Sequence, residues 1–537
     1  ALYEEMEKRI ERATEVGKIP KEIHMKHQGF PQWTSYSSRR DHDTILQILI
    51  NGRDPEVKDI EGSQLPTVVY LAREKRPQHF HNFKAGALNA LVRVSSQISN
   101  GKVILNVDSD MYSSNSQAVR EALCCLMDEK HGQQIAYVQL AQRFVNLTKN
   151  DIYAGSLRTG MEVDFHGYDG FGGPVYIGSG CFHRRDTLCG KKFSQDYKLE
   201  WVSIVHELNI QASAEELEEK SKELASCTYE LDSPWGKEMG FNYGFINEDV
   251  LTGLSIQCRG WRSVYLKPKR EAFSGGSAMT LDQVLVQQKR WGEGLLELML
   301  SKYCPLWFGH GKISLGLQIC YSYHMLWASN GFPTLCYCTI ASLFLFKGVP
   351  LFPEISNPWF LAFSYTILST YAYSIKEYLC CEGTLLGWWN EQRIWLYKRT
   401  SGYILSTIDN ILKLLGLSEM TFAVTAKTVD KDVAKRQEKE IIEFGISSPM
   451  FIMLATFALL NMFTLAGTVW RVLITGGWNV VEKSALQIWL CVALVLINLP
   501  LYEAMFIRKD TGKMPAAVTI KSMVLAFLIC TCFSVLL

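Results

Sequence analysis

The chain has 537 residues, 48% of them hydrophobic and 20% charged, and its 55 lysines and arginines against 54 aspartates and glutamates leave a formal net charge of +1. That balance excludes a basic nucleic-acid binder, an acidic disordered tail and a low-complexity polymer. The mean hydropathy of +0.01 averages two unlike stretches: up to about residue 312 charged and apolar residues mix as in a globular enzyme, and beyond it long apolar runs dominate. The 15 cysteines are scattered without C-x-x-C pairs, so reduced thiols in a cytosol-facing protein are expected rather than a zinc site or a disulfide framework.

The chain opens on Ala1 with LYEEMEKRIERATE, a charged amphipathic helix by pattern and not a signal peptide, and the absence of a starting Met suggests a processed or truncated beginning. Leu65 to Leu71, β-branched after Pro66, predicts a strand. From Lys84, KAGALNALVRVSSQI sets Leu88, Leu91, Val92 and Ser95 at helical spacing. Lys102 to Val107 is then an apolar strand ending in Asp108-Ser109-Asp110. Strand, helix and strand predict a βαβ unit of an α/β domain, in which ligands bind beyond the carboxyl ends of the strands. Across a turn, carboxylates at i and i+2 can face one Mg²⁺ or Mn²⁺ shared with substrate phosphates; a solvated turn is the plain alternative.

Gly172 to Arg185 reads as a glycine-flanked strand running into two arginines, either a place of close backbone approach to a ligand or a simple hairpin. EELEEKSKEL, from Glu215, is a charged helix without a motif. Asn247-Glu248-Asp249 opens a helix with carboxylates in its first turn, which dipole complementarity alone would explain. Gln287-Gln288-Lys289-Arg290-Trp291 lies on a helix from about Leu281 to Lys302, with Gln287, Arg290 and Trp291 on one face. An amide, a guanidinium and an indole suit a phosphate beside a sugar ring, an exposed amphipathic helix being the alternative.

Four runs are long enough to cross a bilayer: Trp359 to Ile375, Met450 to Trp470, Ala485 to Met505 and Ala516 to Leu537. A fifth, Phe332 to Phe346, is shorter but uncharged. Leu315 to Asn330, Gly387 to Trp395 and Ile404 to Leu417 read as helices lying in the interface. The stretch 376–448 carries ten Lys/Arg and the link 508–513 carries three. Five spans place both basic links on the cytosolic side with residues 1–312, as the positive-inside rule requires.

In this order, K-A-G-A-L-N, D-S-D, N-E-D and Q-Q-K-R-W followed by membrane spans resemble the cellulose synthase superfamily of processive family-2 glycosyltransferases. That family's signature is a first D, D-x-D, T-E-D and Q-x-x-R-W, with F-x-V-T-x-K matched here by Phe422-Ala423-Val424-Thr425-Ala426-Lys427. YLAREKRP, FGGPVYIGSGCFHRR, LLGWWNEQRIWLYKR and ISSPMF look most like the plant cellulose synthase-like proteins of subgroup E. The resemblance covers nearly the whole chain. It implies an α/β domain of GT-A type at residues 1–312, lacking its first strands, and a helical transmembrane region at 313–537 with a cytosolic insert at 376–448.

The resemblance further implies an inverting transferase that uses a UDP-sugar and Mn²⁺ or Mg²⁺. Lys84, Asp108 and Asp110 look like the donor and metal residues, and Asp249 like the catalytic base. Gln287, Arg290 and Trp291 resemble the acceptor and diphosphate lining, and Phe422, Val424, Thr425 and Lys427 the gating loop over the donor. Expected partners are the donor, a glycan acceptor and a lipid bilayer, with no nucleic acid; a homo-oligomer stays open. The expected place is the Golgi membrane, with the plasma membrane or endoplasmic reticulum as alternatives. The family's first aspartate motif and two upstream spans have no match, as in a chain truncated at its N-terminus. The reading is a synthase that elongates a non-cellulosic cell-wall β-glycan and extrudes it. The alternatives are a non-polymerising transferase to a lipophilic, sapogenin-like acceptor and a catalytically impaired scaffold.

Overall fold

The computed structural model describes residues 33–536 apart from 34, 37, 154, 200–212, 418–430 and 476. The opening helix expected of LYEEMEKRIERATE lies outside the described residues, as do Phe422, Val424, Thr425 and Lys427. The chain divides into two compact units, residues 1–105 with 182–244, and residues 106–181 with 245–537.

In chain order, β1 (Ile45–Ile50) and β2 (Val68–Ala72) precede α1 (Phe83–Ile98) and β3 (Val103–Asn106). Next come β4 (Met111–Ser113), β5 (Ile135–Leu140) and β6 (Gln142–Phe144), then α2 (Gly155–Thr159) and α3 (Phe165–Gly170), joined through a π-turn at Gly160–Asp164. β7 (Cys181–Arg184) and α4 (Ala214–Lys222) lead to α5 (Glu248–Cys258), β8 (Arg262–Leu266), β9 (Phe273–Gly275) and α6 (Leu281–Leu300). The remainder is helical: α7 (Leu315–Met325), α8 (Gly331–Lys347), α9 (Trp359–Cys380), α10 (Leu385–Tyr397), α11 (Tyr403–Leu414), α12 (Pro449–Thr475), α13 (Trp478–Ile497), α14 (Leu499–Phe506) and α15 (Ala516–Leu536).

In the first unit β1 and β2 pair antiparallel, with Ile45 opposite Ala72. Ala90, Val94 and Ile98 of α1 cluster with Leu46. The buried face of α1 is rotated from the expected one, since it holds Ala85, Asn89, Val92 and Arg93 while Leu91 is 46% exposed. The expected βαβ unit does not form: β2 belongs to a two-stranded sheet with β1, and β3 pairs with β7. β2 is only half-buried along its length, which suits a peripheral hairpin and not the doubly covered strand of a parallel sheet. Arg93 is buried against Glu230, and its Nε donates to the Leu224 carbonyl at 2.7 Å.

In the second unit β5 (IAYVQL) is buried at every residue and pairs in parallel with β8, and the unbroken burial explains its lack of polar alternation. β4 and β6 flank β9, the first antiparallel and the second parallel. α6, capped by the Thr280 hydroxyl, which accepts from the Gln283 amide, packs on α7 and α11.

Among the described residues three helices are long and apolar enough to cross a membrane: Pro449–Ile474, Trp478–Ile497 and Ala516–Val535. The span expected at Ala485 to Met505 is corrected: α13 ends at Ile497 and α14 begins at Leu499. Pro500 in the first turn of α14 has no N–H to continue the preceding ladder, and a further kink falls at Ser484. The expected runs at 332–346 and 359–375 are also helices, but α8 has 17 residues and α9 is rich in Ser, Thr and Tyr. The segments expected at the interface are helical too, as α7, α10 and α11.

Candidate active site

β3 ends at the buried Asn106, whose side-chain oxygen accepts from the Tyr176 hydroxyl at 2.7 Å. The chain then turns, the Met111 amide donating to the Asp108 carbonyl at 3.1 Å, so that Asp108-Ser109-Asp110 is a tight turn into β4. Asp108 is half-buried and Asp110 exposed. The Asp108 amide donates to the Ser179 hydroxyl at 2.9 Å, which ties the turn to the loop Gly178-Ser179-Gly180.

That loop is shaped by its glycines, with φ of +82° at Gly178 and +62° at Gly180. Gln139 on β5 pins it from the core: its side-chain nitrogen donates to the Ser179 carbonyl at 2.9 Å and its oxygen accepts from the Ile177 amide at 3.3 Å. On the loop's other side stands Asp249, in the first turn of α5, its Oδ1 accepting from the Val250 amide at 2.8 Å. A β-carbon on Gly178 would lie 2.9 Å from Asp249 Oδ2, so the glycine makes room for this carboxylate.

α6 closes the site, and its approach depends on Gly294. A β-carbon there would come to 2.2 Å from the Asn247 side-chain oxygen. That oxygen is buried without a hydrogen-bond partner. Arg290 is half-buried; burial pulls its pKa down, and Glu248 and Asp249, within electrostatic reach of the guanidinium, pull it back up. Gln288 is buried and accepts from the Tyr403 hydroxyl at 2.9 Å.

Asp249, Asn247, Gln288 and Trp291 line one cavity of about 170 Å³. Its further wall is aromatic, with Phe165, Tyr168, Trp327 and Trp395, and it carries Asp164, His324 and Lys398. Burial draws the Lys398 ammonium down to about 8. A partly open, largely aromatic space lined by a carboxylate can hold a ring-shaped hydroxylated ligand, stack its apolar faces and take up a proton.

Of the residues singled out in the sequence, Asp249, Arg290 and Trp291 are brought together here. Asp108 and Asp110 are joined to them through the 178–180 loop. Gln287 is half-buried on α6 but does not line the cavity. Lys84 lies in the first unit on the opening turn of α1, after Asn82 and Phe83 at φ of +53° and +43°. Sequence reasoning missed Gln139, Asp164, Tyr168 and His324. Gln139 left a signal as a polar residue inside an otherwise apolar strand, and His324 one as a histidine within an apolar helical run.

Among the described residues no group of three or more His, Cys, Asp or Glu side chains could hold a metal ion. Two carboxylates on one turn do fit a hard, oxygen-seeking cation that takes its other ligands from water and substrate phosphates.

A sequence profile of the cellulose synthase family matches residues 1–223 and 191–536. The chain is 51% identical over 532 residues to cellulose synthase-like protein E1 of Oryza sativa subsp. japonica, covering 98% of this chain and 72% of that protein. It is 32% identical over 508 residues to quillaic acid 3-O-glycosyltransferase CSL1 of Saponaria officinalis, covering 90% of this chain and 72% of that protein. It is also 32% identical over 514 residues to cellulose synthase A catalytic subunit 3 [UDP-forming] of Arabidopsis thaliana, covering 80% of this chain and 48% of that protein.

Proposed function

Since this chain belongs to the cellulose synthase family, and is accordingly a family-2 glycosyltransferase and an integral membrane protein, we propose that it transfers sugar from a UDP-sugar with inversion, extends a non-cellulosic β-glycan and passes the product out through its own spans. The observation that carries this reading is the position of Asp249, held against Gly178, within electrostatic reach of Arg290 and opening on the same cavity as Trp291. A carboxylate so placed can take the proton of an acceptor hydroxyl as that oxygen attacks the anomeric carbon. The bond from that carbon to the UDP oxygen breaks as the glycosidic bond forms, and the electron pair leaves with UDP.

Asp108 and Asp110 are the carboxylates that would hold a divalent cation, which enzymes of this type generally need. Mn²⁺ or Mg²⁺ would offset the charge on the departing diphosphate. Lys84 is assigned to the donor diphosphate, Gln287, Arg290 and Trp291 to the acceptor and diphosphate, and the segment of Phe422, Val424, Thr425 and Lys427 to gating of the donor. Residues 1–312 form the transferase domain in this reading and residues 313–537 the membrane region with five spans. The basic links 376–448 and 508–513 support a cytosolic catalytic half, and the resemblance to the superfamily suggests the Golgi membrane as its place.

The aromatic wall of the cavity favours one second reading, a single transfer to a lipophilic alcohol, as the name of the Saponaria relative suggests. Membranes carrying the protein, supplied with radiolabelled UDP-sugars, decide between the two: a polymer supports the synthase, and a low-mass glycoside alone overturns it. Asp249→Asn should abolish incorporation with either product; retained incorporation would remove Asp249 as the base.

A further inference from the structure

The lining of the cavity includes three polar side chains whose bonding capacity the protein leaves unused. Asp164 lies at the end of the π-turn, and such turns often mark functional sites because the extra residue re-aims the side chains that follow. Among the described residues no hydrogen-bond donor or cation is set against its carboxyl, and the charged neighbour within electrostatic reach is Glu377, of its own sign. One helical turn on, the Tyr168 hydroxyl is buried without a partner. Facing them from α7 is His324, 7% exposed, whose Nδ1 also has none. The His324 ring is held edge-on to Tyr168 and 4.7 Å from the Trp327 ring, so its direction is set by packing.

Buried polar groups are nearly always paired, and each unpaired one costs on the order of 1–3 kcal/mol. Three in one cavity, with aromatic faces between them, are complementary to a ligand that brings several hydroxyls on a flat ring. A ring of that size fits, for a dry cavity of roughly 150 Å³ holds benzene, and this one has about 170 Å³.

We propose that Asp164, Tyr168 and His324 form a subsite for the sugar ring behind the attacking one in a neutral glycan acceptor, and that they decide which ring can occupy it. The inference rests on Asp249 being the base of the same cavity. Asp164 accepts a hydrogen bond from a ring hydroxyl, and Tyr168 and His324 bond further hydroxyls of the same ring. A purely apolar aglycone would leave all three unpaired, and a uronate would set its charge against Asp164.

The test uses the full chain in membranes with a UDP-sugar donor, scoring UDP released, sugar incorporated and product length for Asp164→Asn, Tyr168→Phe and His324→Leu. Expected is a five- to tenfold rise in UDP released per sugar incorporated and a shorter product, with donor KM within twofold of wild type. Tyr168→Phe removes a hydroxyl that has no partner in the protein, so its folding is not at risk and it carries the test should another variant fail to accumulate. Unchanged ratio and length in Tyr168→Phe and in every variant that accumulates would overturn the subsite, as would a donor KM that moves with the ratio. If Asp249→Asn is inactive while these variants behave as wild type, only the subsite falls. If Asp249→Asn keeps its activity, the assignment of the base falls with it.

Discussion

Gly178 and Asp249 are matched to one another: a methyl group on the first would stand 2.9 Å from the carboxylate oxygen of the second. Gly178 also has φ of +82°, which a substituted residue adopts at a cost of about 1 kcal/mol. Gly178→Ala should therefore lower kcat by tenfold or more, each factor of ten being about 1.4 kcal/mol of barrier, while the protein still reaches the membrane. Radiolabel incorporation normalised to protein measures it, and near-wild-type turnover would show that the close approach is not needed.

Gly294→Ala should act on the same centre from the other side. The added carbon meets the Asn247 side chain at 2.2 Å, so either α6 or the start of α5 must move, displacing Trp291 from Asp249. A loss of roughly 10²-fold in kcat is expected, as catalytic groups misplaced by about 1 Å typically lose. Gly167→Ala, at a helical glycine with open space around it, supplies the comparison.

Chelation with EDTA should abolish transfer, and added Mn²⁺ or Mg²⁺ should restore it. Asp108→Asn should raise the cation concentration for half-maximal activity by roughly tenfold or more, because one of two protein ligands loses its charge. A cation requirement that is the same in wild type and variant would place the metal elsewhere.

Asp164 should make the protein less stable at neutral pH than at acid pH. Burial pushes its carboxyl from the ordinary 3.8 up to about 6, Glu377 adding to the push. Tyr168 on α3 and Tyr323 and Cys320 on α7 are also within electrostatic reach. The folded state thus binds the proton more tightly than the unfolded one, so stability falls as pH rises from about 4 to about 6 and stays lower above. Asp164→Asn lacks this term. In detergent it should outlast wild type thermally at pH 7.5, by of order 1–3 kcal/mol, and the gap should close towards pH 4. A gap that does not change with pH would contradict the assignment.

In the first unit, Arg93→Met should cost about 1.5–3 kcal/mol, because it removes the buried guanidinium that pairs with the partly exposed Glu230. The Arg93 guanidinium also lies 5.1 Å from the ring centres of Tyr229 and Trp235, contacts that methionine only partly replaces. Thermal unfolding of the full chain reads this loss; a shift equal to that of an exposed control such as Arg120→Met would refute it.

The start of α5 at Glu248 and the span of α6 from Leu281 were legible because carboxylates in a first turn and a threonine cap leave local marks. The turn at Asp108-Ser109-Asp110 was legible for the same reason, following an apolar strand. The βαβ unit was misread because pattern shows where strands are, whereas pairing depends on partners distant in sequence: β2 found β1, and β3 found β7. The contact of Gly178 with Asp249 and the unpaired set of Asp164, Tyr168 and His324 have no periodicity at all, since they arise where separate elements meet. The apolar run around Pro500 shows the opposite error, composition suggesting one helix where a missing N–H makes two.

The Gly178-Ser179-Gly180 loop touches the Asp108 turn with its one side chain and the Asp249 carboxylate with its backbone. The groups assigned to the leaving diphosphate and to the acceptor proton are therefore set by one rigid strap, itself fastened to Gln139. Substitutions in it should shift donor KM and kcat jointly, whereas substitutions in the cavity wall can alter acceptor fit without disturbing either assigned group.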